Sequence, residues 1–103
     1  MTTAPERTTH LASVIVDAAT TKPDALAALA LTLETSVEGA GTARPFVQLE
    51  SDAWAEVDVP KFGEAPPLAI DVYSTIGTEH ARDRATIVAS ALAENTGWNV
   101  RVA

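Results

Sequence analysis

The sequence predicts a single α+β domain, in which a mostly antiparallel sheet carries two helices on one face in the order α-β-β-β-β-α-β. Three observations support this class. The 103 residues are the length of one domain with one core. Several short segments after residue 44 alternate apolar and polar residues, as strands do, and two longer segments repeat apolar residues at helical spacing. We expect residues 1–103 to form this domain, with 1–8 as a flexible N-terminal segment.

The first predicted element is a helix from Thr8 to Thr20. Thr8 or Thr9 would be its N-cap, and its apolar residues recur at helical spacing: Leu11, Val14, Ile15, Ala18 and Ala19. Pro23 would end it, because proline disfavours the α conformation in the residue before it. The run Val14-Ile15-Val16 also fits a strand, but the helix is favoured.

The segment from Asp24 to Val37 fits two periods. Its leucines form a helical stripe, and the four alanines between 25 and 30 favour a helix. Other features favour a strand. Apolar and other residues alternate around Leu31, threonines are common, and the acidic residues at the end of the segment would be unfavourable at a helix C-terminus. The prediction is a strand from about Ala28 to Ser36, followed by a turn at Glu38–Thr42.

The central part of the chain predicts a hairpin and one further strand. Pro45–Glu50 and Trp54–Val59 alternate as strands and are joined at Ser51-Asp52. Residues 60–67 contain three prolines and a glycine, which predicts a loop. Leu68–Ser74 follows as a strand, with Asp71 and Tyr73 on one face.

The C-terminal part predicts a helix and a closing strand. Thr78 would cap a helix over Glu79–Glu94, and Gly97 lies just past its end. Four residues form its apolar stripe: Ala81, Ala85, Val88 and Leu92. Trp98–Val102 then alternates as a strand.

Composition narrows the classes of function. Fourteen acidic and seven basic residues give a net charge of -7, and no Lys/Arg cluster is present, so sequence-independent nucleic-acid binding is disfavoured. Specific nucleic-acid binding is not expected either. Neither a membrane span nor a signal sequence is indicated. The absence of cysteine fits a reducing, cytoplasmic compartment. Alanine is abundant and only 5% of the residues are aromatic, so the core is thin and self-association is expected.

No catalytic, cofactor-binding or metal-binding residue is predicted, and the chain is expected not to be an enzyme. His10 and His80 lack the spacing of metal ligands and are expected to face solvent. A triad of Ser74, His80 and Asp71 is disfavoured, because Ser74 and Asp71 point to opposite faces of their strand. Gly39-Ala40-Gly41 is interpreted as a turn, since no phosphate-binding motif follows it.

The candidate site is an acidic row on the hairpin. Between Glu34 and Glu64 there are seven carboxylates and two cations. The strand period places four residues on one face, as a candidate interface or lumen surface: Asp52, Trp54, Glu56 and Asp58. The row fits a weak divalent-cation site, a repulsive pore lining or a solvated face. Trp54 is either half-buried by its neighbours or an interface anchor.

Three segments resemble the tail-terminator or tail-completion proteins of long-tailed phages: Arg44–Glu50, Leu68–Ser74 and the helix Glu79–Leu92. Those families show a Pro-aromatic-Val opening strand, a later strand ending in Asp-Val-Tyr/Trp-Ser, and an Ala/Arg-rich helix. The likeness covers roughly Leu11 to Leu92. It implies a non-enzymatic subunit that forms a homo-oligomeric ring, commonly a hexamer, which stops tail-tube growth.

The same resemblance implies the partners and the location. The ring would contact tail-tube and head-connector proteins, and the chain would be cytoplasmic during assembly and part of the virion afterwards. A second resemblance, to the alkaline-shock protein family, covers the last third: Ile70–Ser74, Glu79–Glu94, Thr96-Gly97 and Trp98–Val102. It implies, as the alternative, a small intracellular regulatory or ligand-binding module.

Overall fold

The computed structural model describes residues 9–18, 20–58 and 68–103, and these form six strands and two helices. The α+β class, the mostly antiparallel sheet and the two helices on one face are confirmed. The helices are α1, Lys22–Thr32, and α2, Thr78–Thr96. The strands are β1, His10–Asp17; β2, Val37–Glu38; β3, Phe46–Glu50; β4, Ala53–Asp58; β5, Leu68–Ser74; and β6, Asn99–Val102.

The sheet has the order β2-β3-β4-β5-β1-β6, and each neighbouring pair is antiparallel. Helix α1 packs on β2, β3 and β4, whereas α2 packs on β5, β1 and β6, and the two helices touch each other. The core therefore lies between one face of the sheet and the helix layer. Its buried side chains include Val14, Leu29, Ile70, Val88 and Leu92.

The predicted N-terminal helix is wrong, because this segment is strand β1. Its register pairs His10 with Ser74 and continues to Val16 opposite Leu68. Val14 and Val16 are fully buried while Leu11 is 50% exposed, which is the alternation of a strand and not a helical stripe. Beta-branched side chains favour this conformation once β5 supplies the hydrogen bonds. Thr8 and Ala19 lie outside the described residues.

The predicted strand at Ala28–Ser36 is also wrong, because helix α1 occupies Lys22–Thr32. The hydroxyl of Thr21 accepts a hydrogen bond from the Asp24 backbone N–H at 3.2 Å, and Pro23 lies in the first turn. Proline is favoured there, since the N–H it lacks has no helical partner at that position. Pro23 thus begins a helix and does not end one.

The remaining predicted elements are confirmed within a few residues at their ends. The hairpin forms β3 and β4, and the later segments form β5, α2 and β6. Helix α2 begins at Thr78 with Gly77 in the N-cap position, so Thr78 is not the cap, and it ends at Gly97 with a φ of 74°. Gly39 and Gly41, with φ values of 67° and 89°, lie in a turn. The loop predicted at 60–67, Val59 and the segment 1–8 lie outside the described residues.

Candidate functional site

The face of the sheet opposite the helices carries aromatic, carboxylate and apolar side chains; we call it the open face. Both helices pack on the other face, so among residues 9–18, 20–58 and 68–103 no helix covers the outward residues of these strands. The strand register aligns them in rows across β4, β5 and β1. The aromatic row is Trp54, Tyr73 and Leu11; the rows beside it are Glu56, Asp71 and Ser13, and Asp58, Ala69 and Ile15.

Trp54 and Tyr73 form the centre of the aromatic row. They lie directly opposite each other on β4 and β5, and their rings stack with centroids 5.4 Å apart and planes 17° apart. Leu11 lies opposite Tyr73 on β1. Both aromatic side chains remain half-buried, so this row exposes rigid apolar area in the middle of the sheet.

Glu56 joins the aromatic row to a cation. Its carboxylate accepts a hydrogen bond from Trp54 Nε1 at 3.0 Å and two from Arg44, from Nε at 3.2 Å and from Nη2 at 2.8 Å. The hydrogen bonds and the charge of Glu56 raise the pKa of Arg44. These two parallel hydrogen bonds fix the orientation of the Arg44 guanidinium, and its charge offsets part of the Glu56 charge within the subunit.

Asp71 is the carboxylate at the centre of the open face. It lies opposite Glu56 and accepts a hydrogen bond from Ser13 Oγ at 3.0 Å. Burial raises its pKa, the Ser13 hydrogen bond opposes the shift, and the charges of Asp58 and Glu56 add to it. The pKa of Tyr73 is also raised, by burial and then by the charge of Asp71. The open face is therefore crowded with negative charge at partly desolvated positions.

Three of the four predicted row residues share this face, namely Trp54, Glu56 and Asp58. Asp52 instead lies in the turn before β4, where its backbone carbonyl accepts from the Thr75 backbone N–H at 3.0 Å. Arg44 and Leu11 were not predicted to belong to this site. Arg44 reaches Glu56 from the loop before β3, and Leu11 lies beside Tyr73 only because β1 pairs with β5. Asp71 and Tyr73 were recognisable as sharing a face, but not as neighbours of Trp54.

A second polar cluster lies under the helix layer and joins Ser74, His80 and Glu50. Ser74 Oγ is 2.7 Å from His80 Nδ1, and Glu50 Oε1 is 2.7 Å from His80 Nε2. The pairing register shifts between Gln48 and Glu50, and this bulge turns Glu50 to the helix side. His80 is therefore not a free solvent-facing residue as predicted, and Asp71 is not its carboxylate partner.

The Ser74 cluster has the residue types of a hydrolytic triad but an enclosed nucleophile position. Ser74 is 0% exposed, and its oxygen also accepts a hydrogen bond from the Ile76 backbone N–H at 3.0 Å. In this conformation no substrate carbonyl can approach the hydroxyl. The contacts instead tie β3, β5 and the first turns of α2 together, with Arg84 Nη1 3.7 Å from the same Glu50 oxygen.

One surface cleft borders the open face, and another borders helix α1. One of about 480 Å³ lies on the open face beside the aromatic row and is lined by Arg44, Phe46, Gln48, Ser51, Trp54 and Glu56. Another of about 400 Å³ lies beside the first turn of α1 and is lined by Lys22, Pro23, Leu26, Val37, Pro45 and residues 40–43. The cleft beside the aromatic row extends the open face. The cleft beside α1 is lined largely by apolar atoms.

Comparison with family models, with curated proteins and with solved structures gives no match to this chain. Among residues 9–18, 20–58 and 68–103, no three His, Asp or Glu side chains gather in a group suited to a metal ion. Neither helix in these ranges combines the length and the apolar composition needed to cross a membrane.

Proposed function

We propose that this protein is a non-enzymatic assembly subunit of the tail-terminator type, which forms a homo-oligomeric ring through the open face of its sheet. The observation that carries the proposal is the stacked pair Trp54 and Tyr73 on a sheet face that the helices leave uncovered. Tryptophan and tyrosine are the residues that most often dominate interface energy when a partner desolvates them.

The charges of the open face favour a contact with a different surface of the next subunit. Asp58 and Asp71 lie on this face, so two copies meeting face to face would oppose their carboxylates. A contact between unlike surfaces avoids this repulsion. Such a contact builds a closed ring when the rotation that relates neighbouring subunits is a whole fraction of a full turn. The exposed Arg82 on α2 is one cation that the helix side can supply.

The tail-terminator assignment gives the ring its partners. A ring that ends a tail tube contacts the tube protein on one side and the head connector on the other, and the passing DNA must not adhere to it. A chain with a net charge of -7 is suited to such a passage, because acidic surfaces repel phosphates. We propose a hexamer, the ring size implied by the resemblance.

The test is the assembly state of the parent and of Trp54→Ser. Sedimentation velocity and native mass spectrometry are expected to show a ring for the parent, and loss of the ring for Trp54→Ser, with the circular dichroism spectrum unchanged. Ile76→Ser, an exposed apolar position in the connection between β5 and α2, is the control and should leave the ring intact. A parent ring that survives Trp54→Ser contradicts the proposed contact.

The tail assignment needs its own measurement. Electron microscopy of tail-tube protein polymerised with the parent chain should show tubes with a ring at one end, and fewer such ends with Trp54→Ser. Tubes that carry no ring with either chain would overturn the tail-terminator function, even if the chain forms rings alone.

A further inference from the structure

The outer side of helix α1 is apolar except for the exposed Asp24 in its first turn. Pro23, Ala27 and Leu31 occur at i, i+4 and i+8, so they form one ridge, and all three are exposed. Leu31 is 81% exposed, more than Leu11, Ile76 or Ile87. The opposite side of the helix, through Leu26 and Leu29, is buried in the core. A helix that is apolar all round is ordinarily covered on both sides.

The same helix also borders an apolar cleft that could receive a side chain such as Leu31. This is the cleft of about 400 Å³ beside the first turn, to which Pro23 and Leu26 contribute from the helix and Val37 and Pro45 from outside it. Its lining includes one charged residue, Lys22. Leu31 lies eight residues from Pro23, which is about 12 Å along the helix at the usual rise per residue.

We propose that a second copy of this chain covers the ridge, with the two α1 helices antiparallel around a two-fold axis near Ala27. Ala27 is midway between Pro23 and Leu31, so this arrangement brings each Leu31 to the cleft of the other copy. The contact between Leu31 and the cleft therefore occurs twice in the pair, as expected for an interface with two-fold symmetry. Packing of such i, i+4 ridges is a common mode of helix association.

The distribution of charge favours a second copy over a charged partner. Residues 25–32 carry no charge, although the chain has a net charge of -7. The exposed Asp24 borders the ridge, but antiparallel pairing about Ala27 places the two Asp24 side chains three residues to either side of the axis. Two copies can therefore approach without placing carboxylate directly against carboxylate, which the open face does not allow. Lys22 precedes the ridge and the exposed Glu34 follows it, so antiparallel pairing brings Lys22 of one copy towards Glu34 of the other.

This pairing goes beyond the proposed ring and does not depend on it. It uses the helix side of the subunit, whereas the ring contact uses the aromatic row of the open face. Either contact can form without the other, and variants at Leu31 and at Trp54 separate them.

The first experiment measures self-association of Leu31→Lys by sedimentation equilibrium. The substitution would place an ammonium group in the apolar cleft of the other copy beside its Lys22, so the dissociation constant of the pair should rise about 30-fold or more. Leu31 is exposed in the last turn of its helix, where a cation is tolerated, so the subunit should stay folded. Ile87→Lys on α2 is the control and should leave the pair unchanged.

The second experiment uses the absence of cysteine from the chain. Ala27→Cys should form an intermolecular disulfide rapidly under mild oxidation, because the two positions face each other across the axis. Ser90→Cys, exposed on α2, is the matched control and should react slowly. Adding Leu31→Lys should abolish the fast reaction, whereas adding Trp54→Ser should not. Equal rates for Ala27→Cys and Ser90→Cys, or an unchanged dissociation constant for Leu31→Lys, overturn the pairing.

Discussion

The buried hydroxyl oxygen of Ser74 lies 2.7 Å from Nδ1 of His80, and it also accepts a hydrogen bond from the Ile76 backbone N–H. This one oxygen therefore connects the end of β5 to the beginning of α2. Glu50 holds the other ring nitrogen of His80 at 2.7 Å. A buried polar group that loses its partner is costly, whereas the same group fully bonded is stabilising. The Ser74 cluster is accordingly a structural connection between sheet and helix.

Replacing Ser74 by alanine tests this connection. Ser74→Ala leaves the Ile76 N–H and His80 Nδ1 without their shared partner, so the free energy of unfolding should fall by about 1 to 3 kcal/mol. Urea denaturation followed by circular dichroism measures it. Ser90→Ala, an exposed position on α2, is the control and should change stability by less than about 0.5 kcal/mol. Equal midpoints for the two variants would show that the Ser74 contacts contribute nothing.

Glu34, two residues after the end of helix α1, is poorly suited to its backbone conformation. Glu34 has a φ of 57°, its N–H bonds the Leu31 carbonyl at 3.2 Å, and the Thr35 N–H bonds the Ala30 carbonyl at 2.8 Å. This closure pattern usually carries glycine at the left-handed position, because a Cβ is strained there. Glu34 also follows the C-terminus of α1, where a negative charge is unfavourable.

Glu34→Gly is therefore expected to stabilise the protein by about 1 kcal/mol. Thermal and urea unfolding at a fixed protein concentration measure the change. Glu34→Ala is the informative control, because it removes the charge but keeps the strain of a Cβ at positive φ. A larger gain for Glu34→Ala than for Glu34→Gly would show that the charge, and not the backbone conformation, limits stability at this helix end.

Much of the α+β architecture could be predicted from local pattern. The hairpin, β5, α2 and β6 each have one dominant period and clear end signals, so sequence and structure agree there. The prediction for the β1 segment was wrong because Val14 and Ile15 fit both a helical and a strand period over a short stretch. The choice between the two depends on pairing with β5, where Ser13 meets Asp71 across 58 residues of sequence.

The candidate site was predictable only in part, for a related reason. Alternation along β4 placed Trp54, Glu56 and Asp58 together, since that period is local. The Trp54–Tyr73 stack and the Arg44 fork require knowledge of register and of a loop, which no local pattern contains. The Glu50 contact to His80 depends on a bulge, and one shifted residue moves a side chain to the other face of a sheet.

The carboxyl group of Asp71 makes stability depend on pH in a defined direction. Its pKa is raised in the folded protein, chiefly by burial, so the folded state binds this proton more tightly than the unfolded state. Stability then decreases as the pH rises from the ordinary carboxyl value of 3.8 through the folded value. The cost of holding Asp71 ionised is absent below pH 3.8 and is fully present once the pH exceeds the folded pKa.

Asp71→Asn should accordingly be more stable than the parent at pH 7, and the difference should vanish as the pH falls below 3.8. Asparagine retains an acceptor for Ser13 Oγ, so the hydrogen bond at this site is kept. Urea midpoints across the pH range give the measurement. Asp17→Asn, an exposed carboxylate at the end of β1, is the control and should show a smaller difference. A parent as stable as Asp71→Asn at neutral pH contradicts the assigned burial cost.

In the unassembled subunit, where the open face is free, its acidic character is expected to keep DNA away from it. In the double variant Glu56→Lys, Asp58→Lys, two new ammonium groups join the Arg44 guanidinium, which loses its carboxylate partner. The net charge changes by +4, from -7 to -3. Three cations on one sheet face should bind duplex DNA where the parent does not, with log K falling against log salt at a slope of about -2 to -3.

The decisive comparison is a double variant with the same net charge and a different location. Glu79→Lys with Glu94→Lys places two well-separated cations on exposed positions of α2, keeps the Asp83–Arg84 ion pair and also gives -3. Fluorescence anisotropy with a short duplex at several salt concentrations should detect binding by the open-face variant and much weaker binding by the α2 variant. Because net charge is equal, a difference can arise only from where the charges lie. Equal affinities would mean that the overall charge, and not the carboxylates of the open face, keeps DNA from this protein.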